Sequence, residues 1–368
     1  MSELGRVEEK KREIHGIRIR DFLTTVTSAV SAIAATGFLF SVAPLNGLLS
    51  FVLIAYALFI LFFALITAID DDREGVKDRV ASVIIRSAAV VIFSALVFIV
   101  VFTITRGLEA LPNLNFFTED MSLAGPLDPL SSGGILHSIV GSLIQIAIAL
   151  AITIPLGLVT AVFLNEMPGK YSRFVRTMVE AMTALPSIVA GLFIYATAIL
   201  LLGVQKSGFA AALAISVMML PIMIRASDVV LRIVPGTLKE ASLGLGAGSW
   251  KTVWMVTLPT ARSGLTTAII LATARGIGET SPVLLTSGFT ASLNLDPTNG
   301  PMVSLPLAIF QFVKSPEPTM IARGFGTAAV LMMLVLILFM LARILGSDRN
   351  VFQTFSKAIK GKIRKGAN

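Results

Sequence analysis

Eight stretches of the chain run for roughly twenty residues with almost no charge, the length a helix needs to cross about 30 Å of hydrocarbon. They cover residues 22–42, 48–69, 87–105, 138–165, 181–204, 207–224, 263–294 and 324–342. In lipid every backbone N–H and C=O must be paired within its own segment, so runs of this kind specify helices. The fold class expected is all-α: a polytopic membrane protein of about eight transmembrane helices. Only 14% of the residues are charged and 55% are hydrophobic, whereas a soluble domain carries about 25% charged residues. The first run is rich in Ser, Thr and Ala and is the least apolar. Pro44-Leu45-Asn46-Gly47 reads as a tight turn after it. Pro155 predicts a kink in the fourth run, and Gln205-Lys206 is nearly all that separates the fifth from the sixth, which predicts a helical hairpin.

The charges that remain crowd between the runs, where they bear on topology rather than on nucleic acid. With alternate segments assigned to one side, twenty-five of the thirty Lys and Arg fall on the side of residues 1–21, 70–86, 166–180, 225–262 and 343–368. The other side receives Arg106, Lys206, Lys314 and Arg323, and Arg275 lies within a run. The positive-inside rule then predicts that both termini are cytoplasmic. The first 21 residues mix charges and contain no apolar stretch, so insertion is expected through the spans themselves rather than a cleavable signal. The two long outer segments, 106–137 and 288–323, are rich in Pro and read as structured loops. No cysteine and only His15 and His137 are present, which argues against disulfides, thiolate zinc sites and histidine-cluster metalloenzymes. Neither a Gly-x-Ser-x-Gly nor a His-Glu-x-x-His pattern occurs, so an intramembrane hydrolase lacks its nucleophile and base.

Two constellations carry chemistry. The basic loop 225–262 predicts a short helix over about 235–245 followed by a glycine-rich turn, a knob for another protein's groove. Gly244-Leu245-Gly246-Ala247-Gly248 is not a nucleotide loop, because no strand precedes it and no Gly-Lys-Ser/Thr follows. Within the seventh run, Arg275 and Glu279 stand four residues apart, on one helix face, with Gly276 and Gly278 beside them. Ionisable residues at membrane depth cost a few kcal/mol each and mark a substrate path. The planar fork of arginine suits a tetrahedral oxyanion, and a neighbouring glutamate holds the fork when it is empty. A structural ion pair between packed helices is the competing reading. At the inner end of the sixth run, anchoring at the membrane edge competes with a substrate-receiving role for Arg225 and Arg232. For Asp70-Asp71-Asp72 a solvated charge run fits better than a metal site.

Glu240-Ala241-Ser242, Gly246, Val256, Leu258 and Pro259 fall at the spacing of the EAA motif, E-A-A-x3-G-x9-I-x-L-P, so the loop resembles that of ABC importer permeases. Ser242 and Val256 are conservative departures. Arg275, Gly278, Glu279 and Thr280 with Ser281-Pro282-Val283-Leu284-Leu285-Thr286 resemble the corresponding element of the phosphate-specific importers, and Pro after the small residue resembles the A-type permease family, PstA. Phe116-Phe117-Thr118-Glu119-Asp120 with Gly133-Gly134-Ile135, Phe163-Leu164-Asn165-Glu166, Leu220-Pro221-Ile222-Met223-Ile224-Arg225 and Leu305-Pro306-Leu307-Ala308-Ile309-Phe310 are similar to the same family. The likeness covers about residues 83–346.

The resemblance implies a type I ABC importer permease fold. A six-helix core would occupy 83–346 with its coupling loop at 225–262, behind an extra hairpin and loop at 22–82 and between cytoplasmic tails at 1–21 and 347–368. It implies a transport subunit in a bacterial-type cell membrane, not an enzyme, with no cofactor of its own. The implied partners are a second, C-type permease, two ATPase copies that bind ATP and Mg, an extracytoplasmic phosphate-binding protein and the lipid bilayer, with no nucleic acid. Arg275, Glu279 and Arg225 would line the substrate path. Glu240, Ala241, Ser242, Gly246, Leu258 and Pro259 would couple it to the ATPase. Permeases for sulfate, molybdate or phosphonate would share the EAA loop. An ion-coupled secondary transporter would need no ATPase and is disfavoured by the EAA spacing and by the lack of an evident inverted repeat.

Overall fold

The computed structural model describes residues 19–44, 46–69 and 71–346, and these form helices joined by turns and irregular loops, with no strand among them. Most of both expected tails lies outside the described residues, as do Leu45 and Asp70. The chain divides into two units, residues 1–100 and 101–368. Among the described residues seven helices are long and apolar enough to cross a membrane, and a sharply bent pair makes an eighth span if counted as one.

In the first unit, α1 (Ile19–Val42) and α2 (Leu48–Thr67) pack as a hairpin, closed at its turn by an edge-to-face contact of Phe40 with Phe51. The third helix, α3 (Arg73–Gly107), begins here and ends in the second unit. The division at 82/83 expected from sequence therefore falls inside one continuous helix. Tyr56 of α2 shares a 2.7 Å hydrogen bond with Ser87 of α3. Arg79 takes Asp71 at 2.6 Å and Asp21 at 3.1 Å, so Asp71 of the acidic run serves an ion pair at the helix ends.

The second unit is built around α8 (Gly208–Ile233), which packs on α5 (Leu136–Glu166) and α11 (Leu258–Ile277). Without a hydrophobic drive between helices in lipid, small residues that allow close approach set such contacts. Ala210, Ala211, Ala212 and Ala214 of α8 are accordingly fully buried. The α8 helix passes the predicted end at Ile224 and carries Arg225, Asp228 and Arg232 in its last turns. The kink predicted at Pro155 does not interrupt α5, which runs as one helix.

The fifth predicted run, 181–204, is not one straight helix. An amphipathic helix α6 (Lys170–Thr183) meets the next segment at 106°. That segment is α7 (Ser187–Ile194) continued by a π-helical stretch, Tyr195–Leu201. Pro186 stands at the break, where it can start a helix but not continue one. The seventh run, 263–294, is corrected as well. Its helix starts earlier, from α10 (Ser249–Thr252) through a π-helical turn, Val253–Thr257, into α11. It ends at Ile277, and a short α12 (Ser281–Thr286) follows.

Loops 106–137 and 288–323 both carry helices and turns, as expected. The short α4 (Asn115–Thr118) and the turns after it are tied to residues 288–304 by Met121 N–H donating to Ala291 O at 2.9 Å and Leu293 N–H to Asp120 Oδ2 at 2.9 Å. The second loop also contains α13 (Leu305–Val313), which packs on α14 (Pro318–Gly346). Gln145 of α5 donates to Met302 O at 2.8 Å and Ser142 accepts from Leu305 N–H at 2.6 Å, fixing the strap ahead of α13.

Candidate functional site

The chain ends α11 with Arg275-Gly276-Ile277-Gly278 and restarts at Ser281-Pro282. Pro282 sits at the first turn of α12, where its missing N–H costs nothing. Glu279 therefore lies in a helix break, its N–H bonded to Gly276 O at 3.2 Å. Its carboxylate turns back one turn to Arg275, with Nη1 to Oε1 at 2.5 Å. The two partners differ in exposure: the Glu279 side chain is 5% exposed and the Arg275 side chain 49%. Gly276 allows this placement, because a Cβ there would collide with Met219 of α8.

About 20 Å of uncharged helix, at 1.5 Å per residue, separates Arg262 from Arg275. A guanidinium half bare at that depth is costly against lipid, so its free side fits an aqueous path or a protein partner. Behind Glu279, a small cavity is bordered by Ser142, Gln145 and Ser304. Gln145 Oε1 and Ser304 Oγ are buried there without partners among the described residues. Glu279 is thus backed by polar groups, of which Gln145, 134 positions earlier, has no local sequence signal.

Arg225 is not brought to this pair. Ile215 and Met219 are the α8 residues level with Gly276, and Arg225 stands exposed about 9 Å farther along the axis. The buried group beside it is Asp228, which sequence reasoning missed. It accepts from Arg232 at 2.9 Å and from Arg176 at 3.4 Å, the latter 52 positions away.

The second constellation folds as its spacing predicts. Helix α9 (Gly236–Gly244) starts after Pro235 and ends where Leu245 N–H reaches Ala241 O, Gly246 N–H reaches Leu243 O and Ala247 N–H reaches Ser242 O. Gly246 has φ +82° with open space around it, so the left-handed turn, not crowding, requires glycine. Ser242 Oγ lies 2.9 Å from Thr252 Oγ1, joining α9 to α10. Pro259 cannot donate a helix hydrogen bond, and the π-helical turn Val253–Thr257 lies immediately ahead of it, absorbing the dislocation. Glu240, Ala241, Leu243, Leu245, Trp250 and Trp254 remain exposed, forming a mostly apolar knob.

Lys239 anchors that knob. Its Nζ donates to Glu166 Oε1 at 2.6 Å and to Asn165 Oδ1 at 2.9 Å, so the Phe163-Leu164-Asn165-Glu166 stretch at the end of α5 is the seat of α9. At the opposite end of the unit, Arg323 of α14 is fully buried. It donates to Pro129 O and Ser132 O at 2.8 Å and to Asp128 O at 3.3 Å, holding loop 106–137.

A family profile described as the binding-protein-dependent transport system inner membrane component matches residues 153–351, more than half of the chain. The phosphate transport system permease protein PstA 1 of Mycobacterium tuberculosis (strain CDC 1551 / Oshkosh) is 39% identical over 264 residues, covering 72% of this chain and 86% of that protein. The chain belongs to the PstA permease family. The PstA of Mycobacterium leprae is 37% identical, covering 72% and 86% of the two chains, and that of Yersinia pestis 33%, covering 73% and 90%. A chain of the methionine ABC transporter MetNI in inward-facing conformations is similar with a TM-score of 0.42 at 20% identity, covering 58% of this chain and 91% of that one. As a PstA-family chain with seven long apolar helices, this is a multi-pass membrane transport subunit. The family profile begins at residue 153, beyond the α1–α2 hairpin.

Proposed function

We propose that the chain is one permease half of an ATP-driven importer of inorganic phosphate, with Arg275 and Glu279 on the translocation path and α9 as the contact to an ATPase. The observation that carries this reading is the Arg275–Glu279 pair, buried on the carboxylate side and open on the guanidinium side, in a chain 39% identical to a phosphate permease. An exposed fork of two N–H donors is suited to phosphate oxygens, and Glu279 competes for the same fork so that the anion can leave.

In this reading the basic segments are cytoplasmic, with both termini on that side. An extracytoplasmic binding protein delivers phosphate to loops 106–137 and 288–323. A second, C-type permease covers the exposed side of Arg275, and Arg225 stands at the inner mouth. Two ATPase subunits bind ATP and Mg, and their closure moves Glu240, Ala241, Ser242 and Gly246. Leu258 and Pro259 pass that movement to α11, and Lys239 passes it to α5. This chain supplies the path and the coupling, and hydrolysis belongs to the partners.

The test is uptake of radiolabelled phosphate by cells lacking their own high-affinity system and supplied with the full transporter. Phosphate uptake that is blocked by arsenate and indifferent to sulfate supports the reading. Uptake blocked by sulfate, or persisting without the ATPase subunits, contradicts it.

A further inference from the structure

Helix α6 has two apolar faces and only one is packed. Val175 and Val179 meet Leu164 of α5 and Ile224 of α8, whereas Tyr171, Phe174 and Met178, three and four residues apart, are exposed. An apolar stripe flanked by basic residues, on a helix set at 106° to the segment that follows, is the arrangement of a helix lying at headgroup level.

Beside this helix is an open cavity of about 450 Å³, whose lining includes Asn165, Ser172, Arg173, Arg176 and Arg232. Two of its three guanidiniums, Arg176 and Arg232, share the carboxylate of Asp228. Asp228 is already engaged: its Oδ1 accepts from Arg232 Nε at 3.2 Å and its Oδ2 from Arg232 Nη2 and Arg176 Nη2. Arg173 makes no ion pair among the described residues and is exposed. The lining is left with positive charge in excess and with N–H donors turned to a concavity, the composition that binds phosphate groups. Basic pockets between transmembrane helices on the cytoplasmic side hold anionic headgroups by the same chemistry.

We propose that Arg173, Arg176 and Arg232 form a binding site for a phosphate group, carried by free phosphate or by an anionic lipid headgroup, separate from the Arg275–Glu279 pair. Asn165 on its wall also accepts from Lys239 of α9, so occupancy bears on the joint between α5 and the coupling helix. The site rests on the reading that residues 166–180 face the cytoplasm.

The absence of cysteine in this chain permits a direct test. Gly169 borders the cavity, has an extended backbone (φ 171°) and has no atom within 4 Å of where a Cβ would stand, so Gly169→Cys puts a lone thiol at the rim. Maleimide labelling of this chain is timed in the assembled transporter in nanodiscs of phosphatidylcholine, of phosphatidylcholine with inorganic phosphate, and of phosphatidylcholine with phosphatidylglycerol, at matched chloride ionic strength. Protection scales as 1 + [L]/Kd, so labelling slows about threefold at twice the dissociation constant. Slowing by inorganic phosphate identifies the free ion as the source, slowing by phosphatidylglycerol alone identifies the headgroup, and Arg173→Gln restores the unprotected rate in either case. Equal rates in the three preparations, or slowing that survives Arg173→Gln, overturn the proposal. An impermeant maleimide on intact cells separates the underlying topology: labelling from outside contradicts the cytoplasmic assignment, whatever the protection pattern.

Discussion

At the scale of single residues, backbone and charge set the tolerances. Gly246 is held at φ +82° by the end of α9, a conformation that costs a non-glycine residue roughly 1–2 kcal/mol. Gly246→Ala is expected to redirect the chain between α9 and α10 and to reduce co-purification of the ATPase severalfold. Gly248→Ala, at φ −71° with open space, is expected to have no effect. Pull-down of the ATPase in detergent compares the two. Arg323 presents a different case, since its removal strips the carbonyl of Ser132 of its donor and leaves Pro129 O only the Ser132 N–H. Each buried unsatisfied group costs about 1–3 kcal/mol, so Arg323→Ala is expected to lower the melting temperature and to open residues 120–133 to protease. The EAA positions and the Arg275–Glu279 pair were legible because their partners lie within a few residues. Gln145 and Arg323 were not, because their partners are 157 and more than 190 positions away, and Asp228 has a local partner in Arg232 but a second, Arg176, 52 positions away.

At the scale of elements, the helices act through their joints. Lys239 is the seat of α9 on α5, and Lys239→Met keeps the side-chain length while deleting both hydrogen bonds. The expected result is ATPase retention near normal with transport reduced about tenfold or more, which corresponds to about 1.4 kcal/mol of lost coupling. Uptake and ATPase pull-down on the same membranes separate this outcome from simple detachment. Loops 106–137 and 288–323 are joined through Asp120, whose carboxylate is held below its ordinary value by the Ser122 hydroxyl first and then by the Ser122 and Leu293 amides. A folded-state value below the unfolded one means that this contribution is present above pH ~4 and is lost as pH falls through the depressed value. Proteolysis of these loops is therefore expected to rise on acidification below pH ~4, and Asp120→Ala to show at neutral pH the sensitivity that the wild type shows in acid.

Most spans were legible as uncharged runs, since length and the absence of charge are what a bilayer selects. The bend in the fifth was not, because the apolar run continues smoothly across the break at Pro186. The extent of α8 was missed for the opposite reason: Arg225, Asp228 and Arg232 read as the end of a span, although the helix continues through them.

At the scale of the whole molecule, two features ask for partners: the apolar knob on α9 and α10, and a half-exposed arginine in the last turn of α11. Family membership supplies the setting, a transport complex with other subunits. The charge distribution also fixes an expected topology, with residues 166–180 and 225–262 on the side of the termini. Single-cysteine labelling at Gly248 and at Thr298 is expected to react from the cytoplasmic side only and the outer side only, respectively. Thr298 is chosen because it lies on an exposed turn where it donates to Asp296.

The central claim is that Arg275 touches the transported anion. Phosphate uptake is measured in cells complemented with the full transporter carrying wild-type, Arg275→Lys or Arg275→Gln protein, with membrane abundance and ATPase association measured on the same samples. The account predicts that Arg275→Gln abolishes uptake at normal abundance and with the ATPase still bound, and that Arg275→Lys, which keeps the charge but loses the fork, retains only a small part of it. Uptake unchanged by Arg275→Gln would contradict the account and leave the Arg275–Glu279 pair as scaffolding.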